Sequence, residues 1–124
     1  MSLVNIAAWI AQVLAALAFG VHGYLLLFRP EQARRQFPWA SDVPDSLKGF
    51  IGVAEILGAI GLILPAATGI LPWLTPLAAT GLAALMLLAA IFHVTRRELL
   101  GVVFNLILGA LAVFVAYARY AAPS

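Results

Sequence analysis

Cysteine is absent from the 124 residues. That excludes disulfides, thiol redox chemistry and thiolate-held metal clusters, and it leaves the redox state of the compartment unwritten in the chain. Charge is almost as scarce. Asp, Glu, Lys and Arg make up 10% of the residues, against about 25% in an ordinary soluble domain. With 65% of the chain hydrophobic, too few polar side chains remain to cover the exterior of a domain this size in water. The net charge of +2 comes from few groups and forms no basic stripe interleaved with aromatics, so nucleic acid is excluded as a partner. Catalytic patterns are missing as well. No Gly-rich phosphate loop, nucleophile elbow, paired catalytic carboxylates or zinc-protease spacing occurs, and the few Ser and Thr have no base partner. Catalysis is therefore neither assigned nor excluded.

What the chain does have is long apolar runs. A hydrocarbon core of about 30 Å takes about 20 helical residues to cross. Val4 to Phe28, Leu47 to Leu64, Trp73 to His93 and Leu100 to Tyr117 have that length or approach it. Proline and small polar residues bound them: Pro30 after the first, Asp42 to Ser46 before the second, Pro65 at its end, and Pro72 and Pro76 around the start of the third. The first run lacks a positive leader and exceeds the roughly 7 to 15 apolar residues of a signal sequence, so a retained span is expected rather than a cleaved signal. The expectation is an all-α, polytopic membrane protein, a single domain over residues 1–124 built as an up-down bundle of four transmembrane helices.

Arg29, Arg34, Arg35, Lys48, Arg96 and Arg97 fall around loops one and three, whereas the opposite side has Arg119. The positive-inside rule puts loops one and three in the cytoplasm and both termini outside, in the cytoplasmic (inner) membrane. The aromatics agree with membrane boundaries, with Trp9, Trp73, Tyr117 and Tyr120 at the outer level and Tyr24, Phe28, Phe37 and Trp39 at the inner. Loop one, RPEQARRQFPWASDVPDS, reads as a solvated linker with Phe37 and Trp39 at the interface. Lys48, near the start of the second span, reads as a side chain snorkelling to that interface.

Four intramembrane polar residues stand out. From the rise per residue, Glu55 falls near mid-depth, Asn105 roughly 6 Å and His22 roughly 9 Å toward the cytoplasm, and His93 about 12 to 15 Å, near the interface. All four belong to the inner half, and the outer half is expected to hold Leu, Ile, Val, Ala and Gly. A carboxylate at mid-span costs a few kcal/mol even on lenient insertion scales, so Glu55 is expected to face protein or a cavity. Glycines at 49, 52, 58 and 61 flank it. They make its side of the helix one that a neighbouring backbone can approach, and His22, Asn105 or a water is the expected partner. Two uses fit the cluster equally: a hydrogen-bond network fixing helix register, or a pocket for an amphipathic ligand lined by His22, Glu55, Asn105 and His93. Metal or haem ligation by His22, His93 and Glu55 is disfavoured, because their depths spread over roughly 10 Å or more by the helical rise.

The runs FIGVAEILGAIGLILP (50–65), LTPLAATGLAALMLLAAIFHVTRRE (74–98) and NLILGALAVFVAYAR (105–119) resemble the DoxX-like family of small four-helix membrane proteins. The more specific parts are the Gly-Val-x-Glu-x-x-Gly run around Glu55 and the ending of the third helix at His93 with Arg96, Arg97 and Glu98. The resemblance implies a bacterial or archaeal inner-membrane protein. Relatives are linked to quinone-dependent oxidation of sulfur compounds, to oxidative or thiol stress, and to assembly of a membrane receptor. Where many relatives have Gly-x-x-Lys at the end of the first helix, this chain has His22 and Gly23, so the lysine's role does not transfer. The functional expectation is an auxiliary or ligand-binding component of a membrane redox or stress-response system, with a quinone or other amphipathic small molecule as candidate cofactor. The alternative is a non-catalytic assembly or scaffold protein. The expected partners are the lipid bilayer, other membrane subunits and a second copy of the chain.

Overall fold

The computed structural model describes residues 2–121. It contains α1 (Leu3–Phe28), α2 (Pro30–Gln36), a 3-10 turn (Pro38–Asp42), α3 (Asp45–Thr68), α4 (Leu74–Thr95) and α5 (Leu99–Ala121), with no strand among the described residues. The helix ends follow local chemistry. Ser2 caps α1, its Oγ accepting from the Asn5 amide at 3.0 Å. Pro30 cannot continue α1 and instead opens α2 at its first position. Gly69, at φ +73°, takes the left-handed turn that closes α3.

Four of these helices, α1, α3, α4 and α5, are long and apolar enough to cross a membrane. Large apolar side chains face outward on each of them, with Leu17 62%, Leu57 63%, Leu88 65% and Phe104 67% exposed. Only hydrocarbon accommodates such a surface at low cost, and in hydrocarbon a helix satisfies its own backbone. The protein is an integral, multi-pass membrane protein and contacts the lipid bilayer.

In the helix bundle α1 packs on α3 and α5, and α4 packs on the same two. Phe19, Leu62, Leu82, Met86 and Val115 fill the centre among small residues, including Ala11, Ala15, Ala79 and Ala112. One close crossing is between α1 and α3. A Cβ on Gly23 would stand 2.8 Å from the Gly52 carbonyl oxygen, and one on Gly52 would stand 2.7 Å from Leu27 Cγ. Gly58 similarly yields its space to Leu82. The small residues flanking Glu55 thus admit a backbone on one side and a leucine on another.

Pro65 does not end its helix, contrary to the expected boundary at Leu64: α3 runs on to Thr68. Proline lacks the N–H that would bond the Gly61 carbonyl. The Thr75 hydroxyl of α4 donates to that carbonyl instead, at 2.8 Å. Gln12 Nε2 of α1 donates to the next carbonyl, Leu62, at 2.6 Å. The neighbouring helix α4 thus resatisfies the carbonyl that Pro65 frees, which is how membrane helices tolerate proline.

Loop one is not a solvated linker. Ala33 of α2 and Ala40 of the 3-10 turn are buried, and Phe37, Trp39 and Ile51 pack around the Leu25, Leu26 and Ala33 cluster. Lys48 does not snorkel outward either. Its side chain is 10% exposed; the ammonium donates to the Ala40 carbonyl at 2.5 Å and pairs with Asp45 at 3.1 Å. The 3-10 turn leaves carbonyls without helical donors, and a cation at the start of α3 is placed to take one.

Candidate functional site

Beside the Gly23–Gly52 crossing, the side chains of His22 and Glu55 meet. His22 Nδ1 stands 2.6 Å from Glu55 Oε1, a hydrogen bond between ring and carboxyl. Glu55 is 1% exposed, so its desolvation is compensated by this one strong contact. The pair lies on the wall of a cavity of about 1260 Å³, to which α1, α3, α4, α5 and the segment between α1 and α3 all contribute.

A second histidine–carboxyl pair borders the same cavity. His93, at the end of α4, holds Glu98 Oε1 with Nδ1 at 2.9 Å. The chain reverses there through Arg97, at φ +58°, and the Glu98 amide donates back to the His93 carbonyl at 2.9 Å. This returns the acid to the histidine that precedes it. Gly101 makes room for the ring, since a Cβ there would lie 2.9 Å from His93 Cγ and Nδ1. Arg96 completes the cluster: Nε donates to Glu98 Oε1 at 2.8 Å and Nη2 to Asp42 Oδ2 at 2.8 Å. The Arg96 guanidinium, and secondarily the His93 ring, hold the Glu98 carboxyl below its ordinary value, while Glu98 and Asp42 raise Arg96.

Phe37 and Trp39 close this end of the bundle and join the two histidines. The Phe37 ring lies 4.8 Å from that of His22, and the Trp39 ring lies 6.0 Å from His22 and 6.2 Å from His93, centroid to centroid. Trp39 also meets Phe92 edge-on at 6.5 Å. Aromatic faces thus form one wall, while most of the remaining lining is aliphatic.

All four polar residues singled out in the sequence border this cavity, in unequal relations. His22 and Glu55 are bonded to one another, and His93 is bonded to Glu98 rather than to Glu55. Asn105 reaches neither pair; its Nδ2 is buried without a hydrogen-bond partner. Among the described residues no group of three or more His, Asp or Glu side chains converges as metal ligands.

The expectation of a wholly apolar opposite half is wrong. Arg119 of α5 is 4% exposed and Gln12 of α1 fully buried. Arg119 Nε donates to Gln12 Oε1 at 2.7 Å and Nη1 to Asn5 Oδ1 at 2.6 Å, while the guanidinium lies 5.3 Å from the Trp9 ring centroid. Through the Gln12 bond to the Leu62 carbonyl, one polar knot ties α1, α3 and α5 together at the end opposite the cavity. A signal was present: Asn5, Trp9 and Gln12 are spaced i, i+4, i+7 and share one helix face. Glu98, Phe37 and Trp39 are cavity residues that no pattern in the sequence marks as such. They sit in connections, whose docking no periodicity reveals.

The sequence profile of the DoxX-like family matches residues 10–115. No curated protein and no solved structure matches the chain.

Proposed function

The chain belongs to the DoxX-like family, and from that premise we propose that it is an auxiliary, amphiphile-binding component of a membrane redox or stress-response system, with a quinone as the class of ligand. In this reading the four spans form an up-down bundle in the cytoplasmic membrane, with loops one and three inside and both termini outside. The register of the contacts supports the alternation. Gly23 meets Gly52 while Gln12 meets Leu62, and His93 meets Gly101 while Met86 meets Gly109. The arginines gathered at the cavity end, Arg29, Arg34, Arg35, Arg96 and Arg97, support the orientation.

One observation carries the ligand reading: a buried Glu55 carboxyl, hydrogen-bonded to a half-buried His22, faces a mostly apolar cavity of about 1260 Å³. An ionisable pair inside a membrane span is costly and marks a site by default. The cavity exceeds the usual pocket of roughly 300–1,000 Å³, leaving space for a ring-sized head and part of a tail. Each histidine has Nδ1 committed to a carboxyl group, which orients the ring and leaves Nε2 for a polar head.

The test is what travels with the protein. Purified in mild detergent and extracted for mass spectrometry, the wild type is expected to yield a stoichiometric quinone, and Glu55→Gln a depleted one with the fold retained. Equal quinone in both preparations removes Glu55 from the site. A wild-type protein that yields no amphiphile and only self-associates supports the scaffold alternative instead.

A further inference from the structure

Two buried side-chain nitrogens among the described residues have no hydrogen-bond partner, Asn105 Nδ2 and Arg119 Nη2. The Arg119 guanidinium spends its other donors on Gln12 and Asn5, away from the cavity. Asn105 is different. It lines the cavity, and it is the one polar side chain between Glu98 and Tyr117 in an otherwise unbroken apolar run. Leaving a buried amide donor without a partner is more costly than never having placed it. A leucine at this position would satisfy every local rule of a membrane helix. A local rule broken without an internal gain points to use.

We infer that Asn105 is the specificity-determining donor of the cavity, and that its amide hydrogen-bonds an uncharged carbonyl oxygen on the head of the bound amphiphile. The terminal torsion of asparagine is broad and roughly two-fold, so half a turn of the amide moves its NH2 to where its oxygen was at small cost. The unpartnered donor is thereby turned toward a guest in the cavity. Charge selects a neutral head. Arg97, the cation bordering the cavity, is exposed at its rim, whereas Asn105 lies about two helical turns further along the chain in α5 and brings no charge to hold a carboxylate or phosphate at that depth. Trp39 and Phe37 supply the flat wall against which a carbonyl-bearing ring lies.

The inference rests on the amphiphile-binding reading, and the experiment separates the two. Decyl-1,4-benzoquinone is titrated into the detergent-solubilised protein and binding is read as quenching of tryptophan fluorescence, with Trp39→Phe identifying the reporter. Asn105→Leu is expected to weaken binding about ten- to a hundred-fold. Its thermal midpoint without quinone should equal or exceed that of the wild type, because an unpaired amide has been replaced by apolar surface. Sodium decanoate is expected not to displace the quinone. Saturable quenching in the wild type with unchanged affinity in Asn105→Leu overturns the inference and leaves the cavity reading standing. Loss of stability in quinone-free Asn105→Leu also overturns it, since the amide would then serve the fold, and displacement by decanoate overturns the neutral-head assignment. No quenching in the wild type overturns the cavity reading and the inference with it.

Discussion

Replacing Gln12 by leucine tests the polar knot most directly. The glutamine is fully buried and bonded on both sides, accepting from Arg119 Nε at 2.7 Å and donating to the Leu62 carbonyl at 2.6 Å. A hydrogen bond to a charged group contributes about 1.5–3 kcal/mol. An interhelical bond to a neutral carbonyl in a membrane averages about 0.6 kcal/mol. Leucine fills a similar volume, so little cavity cost is added, and Gln12→Leu is expected to destabilise by roughly 2–4 kcal/mol. Most of that cost comes from the guanidinium left short of partners rather than from the bonds themselves. Arg119→Met should therefore be milder, and the double variant should recover part of the loss, because no buried cation is then left short of partners and only the neutral Asn5 amide and Leu62 carbonyl lose a donor. The assay is reversible unfolding in mixed detergent micelles for the wild type, both single variants and the double variant. A Gln12→Leu cost below about 0.5 kcal/mol, or losses that simply add in the double variant, would refute the reasoning.

The proline break in α3 gives a second cycle. Thr75→Val strands the Gly61 carbonyl that Pro65 already leaves without a helical donor, and should cost about 1–2 kcal/mol in the same assay. In a Pro65→Ala background the restored backbone N–H takes that carbonyl, and Thr75→Val should become nearly silent. Acid stability tests the Arg96–Glu98–His93 cluster. The Arg96 guanidinium, with His93, lowers the Glu98 carboxyl from its ordinary value of 4.5. Its folded pKa lies below the unfolded one, so the stabilisation is complete above about 4.5 and is lost as pH falls through the lower folded value. Glu98→Gln should flatten the decline of the thermal midpoint in that acid range, and an unchanged slope would remove Glu98 as its source.

The apolar runs alone announced the four spans and the membrane. Transfer into hydrocarbon is a property summed along one segment, and a run such as Leu99–Ala116 carries that sum in its own composition. The inward placement of Glu55 was legible for a related reason. A lone carboxylate at mid-depth has one affordable direction, and the adjacent glycines showed where a neighbour fits. Contacts between faces were not legible. Gln12 and Arg119 are 107 positions apart, and they meet because α1 and α5 present particular faces at a particular register. Pro65 reads as a helix end until Thr75 arrives to take the carbonyl it frees. Phe37, Trp39 and Lys48 read as interfacial until the 3-10 turn folds over the bundle and gives the lysine a carbonyl to hold. Composition along the chain determined which solvent surrounds each helix. The tertiary structure decided which polar groups find partners and which one, Asn105, is left facing a cavity without any. Pairing depends on rotation and register between helices, quantities that no single segment contains.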